Sequence, residues 1–391
     1  MKKTYSASFW ILCAHMLLFF VSFNLLVPEL NDYLTSLGGE DEKWLILGLW
    51  TLSAGITRPF SGKIADNFGR KNVIFIGVII SIVVSFLYPF FIGITGFLTL
   101  RFLHGFSTGF QPTGATALIG DFIPKGKRGE AMGIFSMTIS IGFGIGSWLS
   151  TSIFQMFEIN GLFFASGLFG LIALSLTFFI KEEKPPKINI SFANILPKAN
   201  EIFAPEVIQP TIIMFITAMQ AGIYYLIVPD FSTQLGIQEK GMFWLYFTIT
   251  SLATRFFAGK AVDKYGYRRN IAIGLILEIM SGYICMLAET PFEFFTGAAL
   301  FGFGGGMITP AIFTWTTDLA NPKFKGRGIG TMFIALEFGI AIGGFLAQEI
   351  YDNQIENFKY AFLTGMILCS CGLIYLYFGK RIETKKTIKL S

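Results

Sequence analysis

The chain has 391 residues, 53% of them hydrophobic and only 14% charged, with a formal net charge of +5. A soluble protein of this size carries about 25% charged residues, so the composition excludes an ordinary soluble fold. Where the basic residues fall matters more than their total, and it follows from the elements taken in order.

A run of roughly 20 apolar residues crosses a bilayer core. Such runs occupy 9–28, 44–62, 73–92, 96–120, 129–154, 161–180, 207–229, 241–259, 271–288, 293–317, 328–350 and 358–379. They predict an all-α integral membrane protein with twelve spans. Lys2 and Lys3 ahead of the first run imitate a secretory leader, but the run is long and lacks a small-residue cleavage site, so it is expected to be retained. With the N-terminus inside, the inner segments hold Lys63, Arg70, Lys71, Lys125, Lys127, Arg128, Lys260, Lys264, Arg268, Arg269, Lys323, Lys325 and Arg327, besides the 181–206 segment and the tail. The outer loops hold Lys43, Lys240 and Lys359. This bias predicts cytoplasmic termini and loops facing anionic lipid, with no nucleic-acid partner.

The chain repeats itself at a shift of 197 residues. Thr57, Arg58, Phe60, Gly62, Lys63, Asp66 and Gly69 meet Thr254, Arg255, Phe257, Gly259, Lys260, Asp263 and Gly266; Gly105 meets Gly302; Asp121 meets Asp318; Gly133, Gly142 and Gly146 meet Gly330, Gly339 and Gly343. The expected division is a six-helix bundle over 1–180, a cytoplasmic linker over 181–206, a second bundle over 207–379 and a basic tail over 380–391. Two halves of even span number share one orientation. They predict pseudo-symmetry about the membrane normal and alternating access to a central site.

The run "SGKIADNFGRK" after span 2 resembles the signature loop of the major facilitator superfamily. "RFLHGFSTG" at 101–109 resembles that family's fourth-helix motif, with His104 in place of the usual glutamine. Gly133, Gly142 and Gly146 hold the glycine positions of the antiporter pattern, while Ser147 replaces its proline and Ser150 and Thr151 replace its glycine pair. The chain is similar in these motifs to the drug and sugar efflux branch. The resemblance implies a conformational latch of Gly62, Asp66, Gly69, Arg70, Lys71 and Asp121, echoed by Asp263 and Asp318. The second copy is less faithful, since Tyr267 takes the place of the basic residue after Gly266. Gly62 and Gly69 are expected to allow close approach and a positive φ in the turn. The antiporter-like glycines are expected to let helices pack closely.

Ionisable residues inside a membrane are functional candidates because burying them is costly. The proton-coupling candidates are Glu337 in span 11, then Arg101 and His104 in span 4, Glu278 in span 9 and Glu29 at the outer end of span 1. For His104, a neutral ring bonded within the bundle is an equal alternative. The resemblance makes spans 1, 4, 7 and 10 the cavity-lining ones. Asn24, Gln111, Gln220, Tyr224, Tyr225 and Trp315 are then the substrate-cavity candidates, with packing inside the bundle as the other reading of the aromatics. Few fixed charges suit small amphiphilic compounds.

The chain has no phosphate-binding loop, no cysteine–histidine cluster of metal spacing and two histidines in all, so neither an enzyme nor a cofactor or metal site is expected. The expected activity is secondary transport of a small molecule across the cell membrane by a monomer, coupled to protons. Export of amphiphiles and uptake of a nutrient such as a sugar, nucleoside or organic anion both remain open at this point.

Overall fold

In the computed structural model, residues 5–124, 128–182, 196–197, 202–321 and 325–390 are described, with the backbone alone at 66, 128–130, 259–260, 263, 325–326 and 380–390. The described residues are helical throughout, without a strand. The helices are α1 (Ala7–Asn24), α2 (Leu30–Ser36), α3 (Lys43–Phe68), α4 (Arg70–Leu87), α5 (Ile94–Ile119), α6 (Arg128–Phe178), α7 (Ile208–Gln234), α8 (Met242–Tyr265), α9 (Tyr267–Met286), α10 (Pro291–Leu319), α11 (Lys325–Tyr351) and α12 (Phe358–Leu390). Helices are the natural choice in lipid because each satisfies its own backbone polar groups. Among the described residues, eight helical segments are long and apolar enough to cross a membrane; one of them, Ala131–Phe178, has 48 residues, enough for two crossings. By contrast, α3, α5 and α8 carry Arg58, Arg101 and Arg255 along with small polar residues.

Local chemistry sets the breaks. Ser6 caps α1 by accepting from the Phe9 N–H at 3.2 Å. Pro28 opens a 3-10 turn over Val27–Glu29 that separates α1 from α2. Between α3 and α4 the single residue Gly69 has φ 101°, and between α8 and α9 Gly266 has φ 77°. Both positions need the backbone freedom only glycine supplies cheaply. The break expected near 155–160 falls at Glu158, whose φ of 57° and ψ of −167° interrupt α6. Thr290 and Glu293 form a reciprocal capping box at the start of α10, with Pro291 in its first turn.

The chain forms two compact units. One comprises Met1–Ile202 with Gln238–Leu245, the other Phe203–Ile237 with Tyr246–Ser391. Residues 238–245, which lead into and begin α8, thus pack with the first unit, a grouping that the sequence repeat does not anticipate. Within the 181–206 linker, residues 183–195 and 198–201 lie outside the described residues, as do the side chains of the 380–391 tail.

Each unit has its own core. In the first, Phe9, Leu12, Met16 and Phe19 of α1 meet Ile74 and Val78 of α4 and Leu118 of α5, while a second cluster joins Leu30, Leu34, Tyr88, Phe97 and Phe163. In the second, Ile213, Leu275, Ile312, Trp315 and Met332 are packed together.

The internal repeat extends to the packing. A Cβ on Gly105 would lie 2.1 Å from the Trp50 carbonyl, and one on Gly302 would lie 2.3 Å from the Phe247 carbonyl. Gly109 meets Thr57 at 2.7 Å and Gly306 meets Thr254 at 2.8 Å. Gly142 and Gly146 press on the carbonyls of Leu17 and Val21, as Gly339 and Gly343 press on those of Phe215 and Met219. Gly133 and its counterpart Gly330 have nothing within 4 Å of an added Cβ. The close packing expected of the antiporter-like glycines therefore holds at two positions of three. Gly62 is corrected in the same way: it lies inside α3 with no neighbour within 4 Å of an added Cβ. The turn is made by Gly69 alone.

Candidate functional site

Polar side chains within the first unit gather in three places. At the Gly69 turn, Arg70 forms an ion pair with Asp121, their side chains 31% and 50% exposed. The backbone N–H groups of Arg70 and Lys71 donate to the two oxygens of Glu182 at 2.8 and 3.1 Å. A carboxylate there answers the unsatisfied amides and positive dipole end of α4. The Lys71 ammonium donates to the Ile180 carbonyl at 2.8 Å and the Phe178 carbonyl at 3.3 Å. Sequence reasoning paired Arg70 with an acid but missed Glu182, which stands in a polar linker with nothing to mark it as a cap. The side chains of Asp66 and Asp263 lie outside the described residues.

The second copy of the turn is built differently. Arg268 donates to Gln209 at 3.0 Å and to the Leu376 carbonyl at 3.2 Å, and its guanidinium lies 4.7 Å from the Trp315 ring. Asp318 is exposed. Tyr267, the residue that breaks the motif, stacks on Trp315 at 4.9 Å. Trp315 is fully buried in this packing, so the structure gives it a place in the core of the second unit.

Deeper in the first unit, His15 joins three helical segments. Gln111 of α5 donates to its Nε2 at 2.8 Å, which leaves Nδ1 to donate to the Ala173 carbonyl at 2.8 Å. Gln111 also reaches the Met16 sulfur at 3.0 Å. Asn24 donates back to the Phe20 carbonyl of its own helix at 2.8 Å. Both are buried and held by neighbours within the bundle. About two turns along α5, His104 contacts Ser81 at 3.1 Å and the Tyr88 hydroxyl at 3.2 Å, and Arg101 reaches the same hydroxyl at 3.5 Å. Arg101 and His104 do share a face, as their spacing predicts. Tyr88, which ties them together, and Ser81, which contacts His104, were missed because neither stands out within an apolar run.

At the far end of α1, Glu29 is 2% exposed and accepts from Thr151 at 2.6 Å. The Lys240 ammonium, 8% exposed, lies 3.5 Å from Glu29 and forms a second ion pair with Asp32. Burial pulls the Lys240 ammonium down, but the carboxylates of Glu29 and Asp32 outweigh it and leave its pKa above the usual lysine value. The segment is seated tightly: a Cβ on Gly241 would fall 1.7 Å from the Ser147 carbonyl, and Trp244 meets Phe143 edge-on at 5.4 Å. Lys240 escaped sequence reasoning as a site residue. The available signal was its position as one of three basic residues in the outer loops.

In the second unit, Glu278 is 3% exposed on α9. Its side chain is approached by the Cys369 thiol at 3.5 Å, and Gln220 donates to its backbone carbonyl at 3.4 Å. Gln220 also contacts Cys369. Tyr224 is fully buried, its hydroxyl 3.2 Å from Ser281 and its ring stacked on Phe301 at 4.4 Å. Gln220 and Tyr224 are therefore brought together with Glu278 inside the unit. Glu337 on α11 is 4% exposed, and Tyr225 of α7 is half-buried.

Among the described residues no three His, Cys, Asp or Glu side chains are grouped to hold a metal ion.

Comparison with known proteins gives a consistent picture. The chain is 25% identical to quinolone resistance protein NorA of Staphylococcus aureus over 366 residues, covering 89% of this chain and 90% of that one. It is 26% identical to multidrug resistance protein 2 of Bacillus subtilis over 408 residues, covering 97% and 98%. The solved structure of the nucleoside transporter NupG superposes with a TM-score of 0.76 over 95% of this chain at 14% identity, a likeness of fold alone. The sequence pattern of the Major Facilitator Superfamily matches residues 11–208 and 210–390. With that match running through both units, the chain belongs to the Major Facilitator Superfamily, a multi-pass membrane transport protein and not an enzyme.

Proposed function

We propose that this protein exports small amphiphilic compounds across the cell membrane by alternating access, in exchange for protons. The observation that carries the export reading is likeness over about nine-tenths of the chain to proteins named for quinolone and multidrug resistance. The proposal includes twelve spans, both termini in the cytoplasm, two six-helix halves joined through 181–206, and a monomer. Arg70 and Asp121 act as the cytoplasmic latch, made in one conformation and broken in the other.

For the proton, Glu337 and Glu278 are the preferred carriers. Both are buried carboxyls, and Glu278 has thiol, amide and backbone neighbours rather than a cation. A buried carboxyl so placed exchanges its proton when the surroundings open to water. Glu29 is already committed to Thr151 and Lys240. Substrate would be contacted first by Tyr225, the half-buried member of the cavity candidates.

The test is flux in proteoliposomes with an imposed pH gradient, using cationic, zwitterionic and anionic fluorescent amphiphiles. The parent protein is expected to move at least one of them against its gradient. Glu337→Gln and Glu278→Gln are each expected to lower the gradient-driven rate at least about tenfold while leaving downhill exchange intact. Equal gradient-driven rates in the parent and both variants would remove the assignment of the proton sites.

A further inference from the structure

The first unit holds a cation without an anion. Arg101 is 0% exposed, about two turns into α5. Its Nε donates to the Ile46 carbonyl at 3.1 Å and Nη1 reaches the Tyr88 hydroxyl at 3.5 Å, while Nη2 has no partner. A guanidinium offers five N–H donors, and two contacts leave it far from satisfied. No carboxylate among the described residues pairs with it.

Its surroundings add a second unmet donor. The guanidinium lies 6.0 Å from the Phe23 ring, and Trp50 stacks on that ring at 4.2 Å. The indole N–H of Trp50 is also buried without a partner. Tyr88 and Ser81, the nearby hydroxyls, are engaged with His104. The cluster is rich in donors and short of an acceptor.

The fold does not require this arrangement. The repeat places Ala298 opposite Arg101 and Phe247 opposite Trp50. The glycine contacts at Gly105 and Gly302 are preserved around both. The second unit builds the same helix seam without either donor. A buried, uncompensated cation is costly in a membrane protein, so its retention in one half points to a task other than packing.

We propose that Arg101 Nη2 and Trp50 Nε1 bind the anionic head of an amphiphilic carboxylate, with Phe23 supplying a face for its aromatic part. The inference rests on the export reading and narrows it to amphiphilic acids and zwitterions. Entry requires opening of the unit, since the guanidinium is closed to solvent here. A carboxylate meets the guanidinium fork with paired charge-assisted hydrogen bonds. Chloride shares the charge but lacks the second oxygen and the ring.

The test is calorimetric titration of the purified full-length protein in detergent and a HEPES buffer free of chloride and carboxylate. The probes are 2-naphthoate, its neutral isostere 2-naphthol, and sodium chloride. Naphthoate is expected to bind at least about tenfold tighter than naphthol, the loss typical of a hydrogen bond to a charged group. Arg101→Gln should erase that preference, and Trp50→Phe should reduce it several-fold while keeping the stacked ring. If Arg101→Gln does not fold, Trp50→Phe carries the test. Equal binding of naphthoate and naphthol would overturn the proposal, as would a preference unchanged in the variants that fold. Arg101-dependent binding of chloride without naphthoate would overturn the assignment to amphiphilic acids. Binding is read without transport, so absent export in proteoliposomes would refute the exporter reading and leave the anion site standing.

Discussion

The three glycines of the antiporter-like pattern give the sharpest quantitative test of the packing. In α6, a Cβ on Gly142 would stand 2.4 Å from the Leu17 carbonyl oxygen, where ordinary contact begins at 3.4 Å. Gly142→Ala must therefore push α1 and α6 apart by about 1 Å or bend one of them, and overpacking of this kind costs roughly 1–3 kcal/mol. Gly146→Ala meets the Val21 oxygen at 2.7 Å and should cost somewhat less. Gly133→Ala meets nothing within 4 Å. It should be neutral or gain up to about 1 kcal/mol, because alanine suits a helix interior better than glycine. Purified variants would be melted in detergent and followed by intrinsic fluorescence. The expected order of stability is Gly133→Ala, parent, Gly146→Ala, Gly142→Ala, with a few degrees across the set. If Gly133→Ala is as damaging as Gly142→Ala, close helix approach is not what this pattern provides.

Other outcomes follow from the charged clusters. Lys240→Met leaves Glu29 without its cation and should cost about 3–5 kcal/mol, as loss of one partner of a buried pair does. Because the folded-state pKa of Lys240 is raised, its contribution is complete below the unfolded value of about 10.4. It disappears as pH rises through the folded value. The melting gap between parent and Lys240→Met should therefore hold steady from about pH 7 to 9 and close only in stronger alkali. A gap that closes between pH 7 and 9 would contradict the pairing. Arg70→Gln removes a half-exposed ion pair and should cost under about 1 kcal/mol of stability. If the pair is a latch, the same change alters transport rate far more than melting temperature, which paired flux and melting measurements would reveal. Glu182→Gln weakens the cap on α4 by about 1 kcal/mol, and the difference should shrink with added salt.

Much of the architecture could be read from apolar run length, which placed the breaks at Gly69, Pro28 and near Glu158 within a few residues. Repetition of Gly105, Gly142 and Gly146 at one spacing located the tight helix seams, because only glycine permits such approach. What the sequence left open was direction. The cavity candidates Gln111, Gln220, Tyr224 and Trp315 stand out by residue type on helices that the family resemblance makes cavity-lining, yet each is buried among neighbours of its own unit. Helical position alone does not say whether an amide turns to another helix or to a path for solute. Glu29 illustrates the converse: the residue was marked, but its partners Thr151 and Lys240 lie far away in sequence. Only the tertiary fold brings them together.

The duplicated seams also speak to how such a protein can change over time. The close contacts of Gly105, Gly109, Gly142 and Gly146 recur at Gly302, Gly306, Gly339 and Gly343, because both copies of these helix seams obey the same geometry. The charged chemistry has no such bond: Arg101 faces Ala298 across the repeat, Trp50 faces Phe247, and Arg70 faces Tyr267. Substitution at a seam glycine is thus expected to be damaging in either half. A change of polar residue in one half need not be matched in the other. Duplication in this chain supplied two copies of one frame, and the freedom to specialise lay in the side chains that the frame does not use.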